Sequence, residues 1–189
     1  MDRLFPWFLF RGHFKSLSIR GEESVRQNWP VTAVVYGLPV VTFILCWLLE
    51  HTWQLPVVLQ KPGAVLSAAA LLAGGTLTAF THLSTLRLKL TERSVESRDT
   101  EQSDRDMVDE VALHLIMAAL SSTITALLLI LGITYATGST NTDEIRGPFA
   151  WIVFSSLVFN GVLYWIAFPR LFLAYIEINN VSKEMAGRS

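Results

Sequence analysis

Charge is what this sequence has least of. Asp, Glu, Lys and Arg make up 16% of the 189 residues, against about a quarter in an average soluble domain, and the mean hydropathy is +0.42. Cysteine is nearly missing as well. Cys46 stands alone in "FILCWLL", so no intrachain disulfide can form, and its apolar neighbours argue against an activated thiolate. Several motifs are absent: GxSxG, HExxH, a glycine loop that would cradle phosphate, and a concentrated basic patch. Those absences set aside serine hydrolases, zinc proteases, nucleotide-binding enzymes and nucleic-acid binding. No catalytic residue, cofactor or metal ligand is therefore expected, and the protein is not expected to be an enzyme. Nor is a cleavable signal peptide expected. The aromatic stretch in "MDRLFPWFLFRGHFKSL" breaks at Arg11, with no small-residue cleavage site after it.

What is present is long apolar runs. Crossing the hydrocarbon core takes about 20 apolar residues in a helix. Four stretches qualify, Pro30 to Leu49, Ala64 to Leu83, Val111 to Ala136 and Phe149 to Phe168. Trp29, Trp47 and Trp53 flank the first, and Trp151 and Trp165 lie toward opposite ends of the fourth, as an interfacial aromatic belt requires. The fold expected is an all-α integral membrane protein, four transmembrane helices in a bundle.

Direction follows from Lys and Arg. Arg3, Arg11, Lys15, Arg20 and Arg26 precede the first span, and Arg87, Lys89, Arg93, Arg98 and Arg105 lie between the second and third. Arg170, Lys183 and Arg188 close the chain, whereas the other two connections hold only Lys61 and Arg146. Basic residues concentrate on the cytoplasmic side, so both termini are expected inside, in a cell inner membrane. The predicted organisation is a cytoplasmic interfacial segment at 1–29, a transmembrane domain at 30–178 and a cytoplasmic tail at 179–189. In "YWIAFPRLFLAYIEI" the run from Phe149 to Ile178 would be about 45 Å of helix, too long for one crossing. Pro169 and Arg170 are accordingly expected at the inner headgroup level, the arginine snorkelling outward and the remainder continuing along the interface.

Two cytoplasmic features stand out. The N-terminal segment mixes Phe5, Trp7, Phe8, Phe10 and Phe14 with Arg11, Lys15 and Arg20, a pattern suited to lying on anionic lipid or to docking a partner. Residues 84–110 are too short for a domain and long for a turn. Leu83, Leu86 and Leu90 keep helical spacing, and Ser103 with Asp106 resembles a capping box. The expectation is a cytoplasmic helical hairpin joined near Ser97–Ser103, the natural surface for a cytoplasmic protein partner.

The clustered carboxylates of "DRDMVDE", residues 104–110, suit a helix N-terminus, and a charge cluster of Arg87, Asp109, Glu110 and Arg170 is expected at the cytoplasmic mouth. Within the spans, small and polar residues recur at helical spacing. They are Gly74, Thr78 and His82 on the second; His114, Ser121 and Thr125 on the third; Ser156, Asn160 and Tyr164 on the fourth. Such a stripe either packs helices closely, with hydroxyls bonding across the contact, or lines a pore at an oligomer axis. Asn160 matters most, since an amide in mid-membrane needs partners.

In outline the plan resembles small four-span membrane proteins that act as effectors or sensors in bacterial anti-phage systems; the resemblance supplies no residues. Two functions follow as expectations. One is a homo-oligomeric channel-like or membrane-perturbing effector. The other is a membrane anchor or sensor that recruits a cytoplasmic protein through residues 84–110 and the N-terminal arm.

Overall fold

The computed structural model describes residues 12–14, 17–20, 25–92, 98–136 and 144–178, with side chains from most of these. Four long helices dominate: α1 (Trp29–Thr52), α2 (Pro62–Glu92), α3 (Arg98–Ala136) and α4 (Pro148–Ile178). All four contain segments long and apolar enough to cross a membrane, Trp29–Thr52, Pro62–Leu88, Met107–Tyr135 and Pro148–Ile176. The chain is thus a mostly helical membrane protein with four candidate spans.

The starts of the helices are legible in their residues. Pro30 occupies the first turn of α1, where a missing N–H costs nothing, and α2 and α4 also open on proline. Helix α3 begins at Arg98. Ser103 therefore lies inside the helix rather than capping it, a correction to the expected boundary. The favourable run of Asp and Glu over the first turns explains the earlier start. At about 58 Å for 39 residues, α3 is far longer than a bilayer core. Helix α4 continues through Pro169 instead of breaking there. Interrupting a helix with proline costs about 3 kcal/mol, but Ala167, Leu171 and Ala174 pack into one cluster with α2 and α3 on both sides of it, and that packing keeps the helix in register.

The four helices do not close into a ring. Helix α2 packs on α3, α3 on α4 and α4 on α1, while α1 and α2 make no substantial contact. Helix α3 is consequently the most enclosed and the flanking α1 and α2 the least. The apolar core divides into three clusters. One, toward the Glu92–Arg98 end, joins Leu83, Val108, Val111, Leu115, Ala167 and Ala174. A second joins Val35, Ala118, Leu163 and Tyr164 with Leu17. The third, at the opposite end, joins Leu59, Leu129, Ile145, Ala150 and Val153.

Two short antiparallel strand pairs accompany the helices and were not expected from the sequence. β1 (Ser18–Arg20) pairs with β2 (Val25–Gln27) just before α1. β3 (Val58–Gln60) pairs with β4 (Glu144–Arg146), Leu59 opposite Ile145. The second pair ties the α1–α2 connection to the α3–α4 connection. Gly132 of α3 makes the close approach possible, since a Cβ there would come within 2.9 Å of the Ile145 side chain. The turn from β4 into α4 passes through Gly147 at φ +68°, a conformation that only glycine adopts freely.

Candidate functional site

Two polar systems run along the α3–α4 contact, and their positions follow from helical spacing. Residues 110, 114, 118, 122 and 125 fall on one face of α3, and 156, 160, 164, 167 and 170 on one face of α4.

The first system is uncharged and sits mid-span. Thr125 is buried and its Oγ1–H donates to the carbonyl of Ser121 at 2.8 Å. With that single proton committed, Thr125 Oγ1 accepts from its other two neighbours. Asn160 Nδ2 donates to it at 2.9 Å, and Ser156 Oγ must donate to it likewise. One turn away, Ser122 and Tyr164 share a hydrogen bond of 2.9 Å. Asn160 Oδ1 is buried without a hydrogen-bond partner among the described residues. On the far side of α4, Ser155 donates to the Pro39 carbonyl of α1 at 2.7 Å, and Trp151 Nε1 donates to Glu50 at 2.7 Å.

The second system is ionic and lies toward the Glu92–Arg98 end. Arg170 pairs with Glu110, and its Nη1 also reaches His114 Nε2 at 3.2 Å. His114 Nδ1 is 2.9 Å from the Glu110 carbonyl. Since a carbonyl only accepts, the proton lies on Nδ1 and Nε2 accepts from arginine. Arg170 thus faces α3, within the expected grouping of Arg87, Asp109, Glu110 and Arg170. The carboxylate and imidazole on adjacent turns of α3 supply two acceptors that an open headgroup layer would not hold in place. Nearby, Arg87 of α2 grips Asp109 through two contacts, Nη2 to Oδ2 at 2.8 Å. Both side chains are about half exposed (48% and 45%), so this pair contributes under about 1 kcal/mol.

His13 completes the ionic end and was not foreseen. It lies on the helical turn 12–14, is fully buried, and meets His114 edge-on with ring centres 4.9 Å apart. Burial first, then the nearness of His114 and Arg170, holds its pKa down to about 3. No periodicity signals it, because a single helical turn is too short to carry a repeat. Ser122 was also missed as a site residue, although its spacing of four from Ala118 would have placed it.

The expected intramembrane stripe therefore divides. His114, Ser121, Thr125, Ser156, Asn160 and Tyr164 come together between α3 and α4. Gly74, Thr78 and His82 do not join them. They are exposed on α2, and a Cβ on Gly74 would meet nothing within 4 Å. Arg87, Asp109, Glu110 and Arg170 gather as two ion pairs at one end. Of the N-terminal aromatics, Phe14 stacks on Tyr36 at 4.9 Å, while Phe5, Trp7, Phe8 and Phe10 lie outside the described residues, as do the tail 179–189 and Ser97; the rest of the expected hairpin tip, 98–103, is helical in α3.

Among the described residues no three His, Cys, Asp or Glu side chains gather as metal ligands. Between α2 and α4, where the two helices share α3 but diverge from each other, lies a cavity of about 590 Å³. Ala79, Leu83, Leu86, Phe168, Leu171, Phe172 and Ala174 line it, with His82 and Tyr175 as its polar members. No known protein family, curated protein or solved structure matches the chain.

Proposed function

We propose that this is a non-enzymatic, multi-pass inner-membrane protein that works as a homo-oligomer, as a channel-like or membrane-perturbing effector, with both termini and the α2–α3 extension on the cytoplasmic side. The observation that carries the reading is the bare outer face of α2. This helix has α3 as its main partner, and its opposite side exposes Ser67, Gly74, Thr78 and Thr85, with Leu71 among them. The hydroxyls of Ser67, Thr78 and Thr85 donate to carbonyls of their own helix at 2.9 to 3.0 Å. A hydroxyl satisfied in this way tolerates lipid but still presents an oxygen lone pair outward. Small residues on such a face allow a neighbouring helix to approach closely. Around a symmetry axis, the same oxygens would accept hydrogen bonds from water and favour cations. The α3–α4 polar residues are already engaged with one another, which supports assigning them to packing and α2 to the axis. A setting in bacterial anti-phage defence rests on the outline resemblance alone.

Gly74→Leu tests this directly. Space around Gly74 is open within the protomer, so the substitution should leave the fold intact while dispersing the oligomer in mild detergent and lowering ion flux into liposomes. Wild-type protein that stays monomeric and passes no ions would refute the proposal. A second reading, an anchor or sensor for a cytoplasmic protein, is supported by the length of α2 and α3 beyond their apolar spans and by the Arg87–Asp109 clamp between them. Deleting residues 97–103 would then abolish partner capture without changing flux.

A further inference from the structure

Leu83 and Ala174 are buried at the floor of the cavity between α2 and α4, packed with Val108 and Val111 of α3. Along its rim His82, Phe168, Phe172 and Tyr175 are exposed. The lining runs over 79–86 of α2 and 168–175 of α4, close to the Leu88 and Ile176 ends of two candidate spans. The cavity is therefore a groove open sideways to the hydrocarbon of the leaflet at the Glu92–Arg98 end. Its volume of about 590 Å³ lies within the about 300 to 1,000 Å³ of sites that enclose apolar ligands. The α2 span, Pro62–Leu88, is about 40 Å of helix against about 30 Å of hydrocarbon core, which puts His82 about one turn inside the hydrocarbon edge. An imidazole carries polar nitrogens that hydrocarbon cannot satisfy, and ionisable side chains at such a depth pair with something. His82 has no hydrogen-bond partner among the described residues.

We propose that this groove binds a phospholipid of that leaflet, with an acyl chain against Leu83, Phe168, Phe172 and Ala174 and an ester carbonyl accepting from the imidazole N–H of His82. Ester carbonyls stand at the hydrocarbon edge and are the acceptors that a bilayer offers nearest that depth. Hydrocarbon is what the uncharged floor and aromatic rim accommodate. A helix from a second copy fits less well, because close approach of helices needs small residues and this rim carries Phe168, Phe172 and Tyr175. The small residues of α2 that suit such a neighbour, Ser67, Gly74 and Thr78, are not part of the lining. The lipid site does not depend on whether the protein oligomerises or conducts ions, and its test reads lipid contact rather than flux.

The probes are two phosphatidylcholines with the same diazirine-bearing chain, one joined to glycerol by ester bonds and the other by ether bonds. Each is diluted into dioleoylphosphatidylcholine vesicles holding the full chain, irradiated, and its adducts mapped by peptide mass spectrometry. The reference is 40–48 of α1, where Val40, Val41, Ile44 and Leu45 are exposed. The ester probe should label 168–175 more than its ether twin by about two- to tenfold, the worth of one neutral hydrogen bond. The two should label 40–48 equally. His82→Leu keeps an apolar wall and removes the donor, so it should erase the ester preference. In the unmodified chain, equal labelling of 168–175 by the two probes overturns the proposal whatever the variant does. So does an ester preference that survives His82→Leu. Labelling of 168–175 that stays below that of 40–48 with both probes also overturns it, and gives the groove to a protein neighbour.

Discussion

Thr125→Val separates packing from pore lining along the α3–α4 contact. Valine keeps the shape of threonine and removes the hydroxyl on which three hydrogen bonds meet. Two of the three cross between helices. Such bonds in membrane bundles contribute about 0.6 kcal/mol on average and about 1.7 at most, so their joint loss costs about 1 to 3 kcal/mol. The Asn160 amide N–H is then stranded in a nearly closed site, 5% exposed, which argues for the upper half of that range. Asn160→Leu is a different perturbation. It gives up one bond but also removes the buried Oδ1 that has no hydrogen-bond partner, so it should stay within about 1 kcal/mol of wild type. In the double variant neither polar atom of Asn160 is left to be stranded and only the Ser156 hydroxyl has lost its acceptor, so the two effects should not add. The expected coupling is about 1 kcal/mol, measured by reversible unfolding in mixed micelles of increasing SDS content and followed by tryptophan fluorescence. Additivity within about 0.3 to 0.5 kcal/mol, the range for independent sites, would refute the network. Loss of ion flux with unchanged unfolding would refute it as well, by placing Asn160 on a conducting surface.

Three further expectations follow from the same geometry. Gly132→Leu should destabilise the protomer by about 1 to 3 kcal/mol, as overpacking does, because its Cβ meets the buried Ile145 side chain at 2.9 Å; Gly74→Leu in the same unfolding assay should be neutral. Arg170→Lys should lower the detergent melting temperature, since a point cation cannot reproduce the planar guanidinium facing both Glu110 and His114. Wild-type stability in the lysine variant would leave Arg170 a simple boundary role. With Cys46 replaced, Thr142→Cys should react with an impermeant thiol reagent from outside and Thr100→Cys should not; the reverse pattern would invert the proposed topology.

The four candidate spans were legible in the chain because the bilayer constraint is one-dimensional. About 20 consecutive apolar residues suffice, and nothing distant has to be known. The first-turn proline of α1, Pro30, and the grouping of Arg87, Asp109, Glu110 and Arg170 were readable for a similar reason. Helical spacing fixes which side chains share a turn, and antiparallel neighbours bring the ends of the spans together.

Which helix touches which is a different kind of question. The spans are apolar nearly all round, so hydropathy does not distinguish the face that meets a neighbour from the face that meets lipid. The tertiary structure decided that α1 and α2 stand at opposite flanks, and so that Gly74, Thr78 and His82 of α2 are exposed while Ser122, Thr125, Ser156, Asn160 and Tyr164 bond to one another between α3 and α4. It also decided the meeting of Arg170 with His114 and the burial of His13. Both depend on acceptors and rings brought from segments about 100 residues apart or from different helices, and no local pattern records them. The sequence by itself determined that this chain has four segments able to cross a membrane and where they lie. Only the packing of those segments determined which polar groups are bonded within one molecule and which stay exposed on its surface.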